Sequence, residues 1–118
     1  MRTDFTQLRI WKEASDLAVV IYDISRCYPK SEMFGLTSQI RRAAVSVALY
    51  IAESTGRESR QDRAQFLSIA RGSAKEVEST LYIAVSLGHT EDQAAHELAK
   101  RYRGLSAAIF TYKQTLRL

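Results

Sequence analysis

The amino-acid sequence predicts an all-α fold: an antiparallel up-down four-helix bundle that assembles as a homo-oligomer. Apolar residues recur at intervals of three and four through four long segments, and none of these segments alternates with the period of a strand. One proline and five glycines in 118 residues leave material for only a few turns, so the elements must be few and long. The second and third segments also carry Arg, Ser, Glu, Gly and extra aliphatics opposite their apolar stripes, where an ordinary amphipathic helix shows only a solvated back. That second marked face points to a second partner, and another copy of the chain is the expected one.

The first helix is expected from Leu8 to about Cys27, on the spacing of Ile10, Trp11, Ala14, Leu17, Ala18, Ile21, Ile24 and Tyr28, with Thr6 as its N-cap. Pro29 lacks a donor and biases Tyr28 away from helical dihedrals, so the chain must turn there. Lys30 to Gly35 then reads as a short connector with room for one helical turn. Helix two should run from about Leu36 to Ser54 on Leu36, Ile40, Ala43, Ala44, Val47 and Ile51, and stop near Gly56. Ser59, with Asp62 three positions on, should cap helix three, which continues to about Leu87 through Phe66, Leu67, Ala70, Ala74, Val77, Leu81 and Ala84 before Gly88 ends it. Thr90 and Gln93 have capping-box spacing for helix four, whose stripe is Ala95, Leu98, Tyr102, Leu105, Ile109, Tyr112 and Leu116. With no Pro/Gly-rich linker and no internal repeat, residues 1–118 form one domain.

Composition narrows the function classes. The formal charge of +4 and pI of about 9.4 favour anionic partners. Cys27 is the sole cysteine, which excludes an internal disulfide and any CxxC site, and it reads as a semi-buried thiol at a helix end. The N-terminal stretch is charged throughout, and no run approaches the roughly 20 apolar residues of a membrane span, so a cytoplasmic protein without membrane contact is expected. No Walker, GxGxxG, HExxH or GxSxG pattern occurs, and His96 lacks the ExxH pairing of a bundle di-metal site. The chain is therefore expected to be non-enzymatic, with no cofactor and no metal.

Two sets of candidate residues remain. Arg41, Arg57, Arg60, Arg63 and Arg71 cluster on helix two, its exit and helix three, where guanidinium groups could pair with phosphate oxygens of RNA or DNA. Glu53, Glu58 and Asp62 partly offset them. A second cluster, Lys100, Arg101, Arg103, Lys113 and Arg117, follows the last acid of helix four and reads as a complement to the helix dipole. An angular count at about 100° per residue gathers Arg42, Ser46, Leu49 and Glu53 opposite the core stripe of helix two, with Val45 beside them. On helix three the same count separates Ile69, Gly72, Glu76 and Ile83 from the core. A mid-helix glycine costs about 1 kcal/mol relative to alanine, so Gly72 asks for a close neighbour. These residues, with Gln39, form the expected oligomer interface.

The stretches FTQLRIWKEA (5–14), YPKSEMFGLTSQIRRAAVSV (28–47), IAES (51–54) and FLSIARGSAKEVES (66–79) resemble the four-helix-bundle family of 23S rRNA intervening-sequence proteins, over nearly the whole chain. The resemblance implies a homopentameric bundle with no attached catalytic activity. Carried over by position, it marks Gln39, Arg41, Arg42, Ser46, Glu53, Arg57, Arg71, Gly72, Ser73 and Glu76. Where the family usually reads SIPSNIAEG, this chain runs from Ser46 to Ser54 without the proline, asparagine or final glycine, which should straighten helix two. The function expected is a ring that contacts RNA or DNA through basic surfaces; the alternative is a protein-interaction scaffold without nucleic-acid affinity. No partner protein is identified.

Overall fold

A computed structural model of the chain describes residues 4–116. Its long elements are α1 (Arg9–Ser25), α2 (Leu36–Thr55), α3 (Arg60–Ser86) and α4 (Asp92–Gln114), joined by short connections that hold one 3-10 turn, Lys30–Glu32. A second 3-10 turn, Phe5–Gln7, precedes α1, and there is no strand among the described residues. The molecule measures 46 × 23 × 20 Å, the length of one long helix and a nearly square cross-section.

The core is built from the four sequence stripes. Leu17 and Ile21 of α1, Ile40, Val47 and Ile51 of α2, Leu67, Val77 and Leu81 of α3, and Tyr102 and Ile109 of α4 are fully buried. Burying side chains of this size contributes roughly 1.5–3 kcal/mol each, the main term opposing chain entropy. Trp11, Ala18, Ile24, Leu36, Tyr112 and Leu116 are only partly covered and pack against the rim of this core. Ala43, Ala44, Ala70 and Ala74 keep α2 and α3 close, and this pair packs most extensively; α1 meets α4 only sparsely. Arg117 lies outside the described residues.

The helix ends correct the sequence reading in four places. Thr6 does not cap α1: Asp4 caps the preceding 3-10 turn through the Thr6 amide, and Leu8, the N-cap of α1, makes no side-chain cap. Thr90 caps nothing in α4, whose N-cap is Glu91, because its hydroxyl is spent on Tyr28 Oη at 2.6 Å. Gln93 reaches toward Glu97 instead of back to a cap. Cys27 is exposed, not semi-buried, since α1 has ended and its Sγ lies against the Ile24 carbonyl. The Ser59 cap stands, accepting from the Asp62 amide at 3.0 Å, and Gly88 ends α3 with φ +77, a backbone few other residues adopt.

One end of the bundle is pinned by a polar cluster. Glu32 Oε1 accepts the Leu36 amide that opens α2, and its Oε2 meets His89 Nε2 at 3.1 Å, tying the α1–α2 connector to the α3–α4 turn. The amide bond and the His89 contact hold the Glu32 carboxyl below its ordinary pKa. A Cβ on Gly35 would sit 2.9 Å from Glu32 Oε1, so this capping geometry leaves little room for a larger residue. Burial raises the pKa of Tyr28, against the opposing bond to Thr90.

Candidate self-association faces

The expected interface residues fall on both flanks of α2. Residues pointing toward α1 and those pointing toward α3 are separated by the outward corner of the helix, because successive positions advance about 100°. Val45 and Leu49 join Ala18, Val19 and Tyr22 in an open groove of about 460 Å³ between α1 and α2. Its exposed members are mostly apolar, Val19 at 60% and Leu49 at 61% accessible, with the Asp23–Arg26 ion pair also on its lining. Tyr22 is fixed there by the Arg41 guanidinium, which lies 4.7 Å from its ring centroid.

On the other flank, Gln39, Arg42 and Ser46 face Ile69, Gly72 and Glu76 across a groove of about 330 Å³ between α2 and α3. This groove is polar where the first is apolar. A Cβ built on Gly72 meets nothing within 4 Å, so no neighbour in its own chain requires a glycine there. Ile83 continues the same edge of α3 and is half exposed. Glu53 joins neither groove, pairing instead with Arg57 at 2.9 Å at the end of α2.

Four of the five candidate nucleic-acid arginines are engaged within the chain. Arg41 Nε donates to Ser25 Oγ at 2.8 Å, bracing α2 on α1. Arg57 lies over the Phe66 ring and Arg71 over Phe110, while Arg71 Nε also donates to Ser106 Oγ. Arg63 Nε donates to the Arg57 carbonyl at 2.6 Å, closing the α2–α3 connection. Arg60, at the start of α3, is exposed. The guanidinium planes thus rest on aromatic faces and span neighbouring helices.

Three features were missed by sequence reasoning. Glu78 is buried between α3 and α4, with Lys75 at 3.4 Å and Arg103 at 3.6 Å; the lysine three residues before it was the available signal. Tyr102 is buried as its stripe predicts, but its hydroxyl, which has no hydrogen-bond partner among the described residues, was not foreseen. Phe34, beside Met33 in the first connector, is 94% exposed, and an apolar pair next to a turn glycine was its signal. A third groove, about 770 Å³, runs where α1 and α4 diverge, with Gly104, Leu105 and Ala108 on one side and Ile10 on the other. Arg101 spans it to Glu13 at 3.1 Å.

The arrangement defines a four-helix bundle whose marked surface residues line grooves between helices. Residues 6–111 match the family model of the 23S rRNA-intervening sequence protein, and the chain belongs to that family. A crystal structure of a protein of unknown function from the S23 ribosomal protein family, from Bacteroides thetaiotaomicron VPI-5482, is similar with a TM-score of 0.78. It is 20% identical, and the match covers 88% of this chain and 97% of that one. No curated protein matches the chain. Among the described residues, no helix is long and apolar enough to cross a membrane.

Proposed function

We infer that the protein is a non-enzymatic scaffold that assembles into a ring of identical chains, and that the ring contacts RNA or DNA. The observation that carries the assembly is the pair of dissimilar grooves flanking α2. Two different patches on one chain fit a heterologous contact, in which the α1–α2 face of one copy meets the α2–α3 face of the next. Such contacts close into a ring when the two patches diverge by the interior angle of a polygon, about 90° for four copies and about 108° for five. Adjacent faces of a bundle with a 23 × 20 Å section diverge by roughly a right angle, which favours closure at four or five. The five-fold ring implied by the family resemblance falls within that range. In this arrangement α2 lines the axis and α4 the outer wall.

Nucleic-acid contact is supported by the formal +4 of each chain, multiplied around a ring, and by the mention of a 23S rRNA intervening sequence in the family's name. Sedimentation velocity at micromolar concentration tests the assembly: wild type should sediment as one closed oligomer. Arg42→Ala or Glu76→Ala should lower the mass while helicity is retained, because both lie in the α2–α3 groove and neither belongs to the core. Affinity for RNA should fall linearly in log salt, and Arg60→Ala should shift it without changing oligomer mass. Arg60 is a cleaner choice than Arg57, which also braces Glu53 and Phe66. A wild-type monomer removes the ring, and undetectable RNA and DNA binding at low salt leaves the protein-interaction scaffold.

A further inference from the structure

We propose that Phe34 is the knob that joins neighbouring copies in the ring, seating on the exposed end of the next copy's α3 at Ile83 and Leu87. This inference rests on the ring reading and names the contact that completes it.

Phe34 is 94% exposed on a backbone that is held firmly. The amides of Glu32, Met33 and Gly35 donate to the carbonyls of Pro29, Lys30 and Glu32, and the Gln39 amide donates to the Gly35 carbonyl. The Glu32 carboxylate fastens this turn to α2 and to His89. A large apolar side chain held out from an ordered turn has already met most of the ordering cost of a contact.

The receiving surface follows from symmetry. Rotation about a ring axis that runs along the helices leaves each residue at its own height, so residues at the same level meet. The Glu32–His89 contact places the first connector and the α3–α4 turn at the same end of the bundle. At that end of the α2–α3 face stand Ile83, 48% exposed, and Leu87, 52% exposed. At 100° per residue, Ile69, Gly72, Glu76, Ile83 and Leu87 fall within about 60° of one another, so both aliphatics prolong the edge of the α2–α3 groove. Phe34 stands at the same end, in the connector that joins α1 to α2. Each copy therefore carries one projecting apolar group and one exposed apolar seat, at the same end of the bundle.

Charges further along the faces agree with this register. Asp23, which lines the α1–α2 groove, and Arg42, which lines the α2–α3 groove, stand within about one helical turn of each other in height from the connector end. A second copy thus brings an acid of one face to the level of a base on the other.

The test uses the full chain with Cys27→Ser, to remove the exposed thiol. Chains carrying Phe34→Cys and chains carrying Ile83→Cys are assembled together and treated with a short bis-maleimide. The mixture should give a cross-linked dimer that neither variant gives alone. Phe34→Ala should weaken assembly by about tenfold or more, from the loss of one buried aromatic, with circular dichroism unchanged. A wild-type ring with no cross-link in the mixture, or with unchanged assembly for Phe34→Ala, overturns the knob and leaves the ring standing. A wild-type monomer overturns both.

Discussion

Replacing Tyr102 with phenylalanine should stabilise the protein. Tyr102 is the largest fully buried side chain, and its ring packs in the core. Its hydroxyl oxygen is inaccessible and has no hydrogen-bond partner among the described residues. A hydroxyl in water donates and accepts; enclosed without a partner, it forfeits those bonds at a cost of about 1–3 kcal/mol. Removing it leaves a near-isosteric ring that fills almost the same space, so the cavity term is small. The expected gain is roughly 1–2 kcal/mol, or about 3–8 °C in Tm for a chain of this size, where one kcal/mol corresponds to some 3–4 °C. Burial also disfavours the tyrosinate and raises the Tyr102 pKa above the ordinary value of 10. The folded state therefore keeps its proton where the unfolded chain has lost it. Stability from this group is fully present below pH 10 and declines as pH rises beyond it, a loss that Tyr102→Phe should remove. Urea unfolding at fixed protein concentration, at pH 7 and again above pH 10, measures both effects, provided oligomer mass is checked. A phenylalanine variant less stable than wild type by 1 kcal/mol at pH 7 would show that the hydroxyl is satisfied and refute the reasoning.

Gly72→Ala should act oppositely on the chain and on its assembly: helix propensity contributes up to about 1 kcal/mol to the isolated fold, while the added methyl intrudes on the α2–α3 groove. Thermal melts of dilute protein and oligomer mass by light scattering separate the two, and unchanged mass would take Gly72 out of the interface. Arg41→Ala should destabilise by about 1 kcal/mol in urea, since it loses the bond to Ser25 and the Tyr22 stack that hold α1 on α2. Glu32 adds stability that is fully present above its unfolded pKa and lost as pH falls through its lower folded value. Wild type should therefore lose more stability than Glu32→Gln on acidification below about pH 4.5, and parallel acid-unfolding curves would argue against this role.

Helix number, order and core stripes were legible because each depends on period alone. Ile40, Val47 and Ile51 must share a face of any helix, whatever lies opposite. The angular count on α2 also gathers the exposed corner of Arg42, Leu49 and Glu53, yet it cannot tell which flank meets α1 and which α3, so it leaves Val45 and Gln39 in one surface where the structure puts them in separate grooves. The arginine braces were illegible for a different reason. Arg71 finds Phe110 and Ser106 more than thirty residues away, across a helix pair whose rotation is set by packing, and no local pattern encodes that meeting. Thr90 shows how local grammar loses: its capping spacing is intact, but its hydroxyl pairs instead with Tyr28, 62 residues away in sequence.

The sparse packing of α1 against α4 bears on the order in which the protein comes together. α2, α3 and α4 pack on sequence neighbours and form a unit of short loops, the kind of topology that folds quickly. α1 has one extensive partner, α2, and an open seam on its other side. Hydrogen exchange should therefore find α1 opening as a separate unit at lower free energy than the rest. The helix synthesised first is then the last to be secured, and until it docks, the apolar sides of Leu17 and Ile21 stay open to water and to other chains.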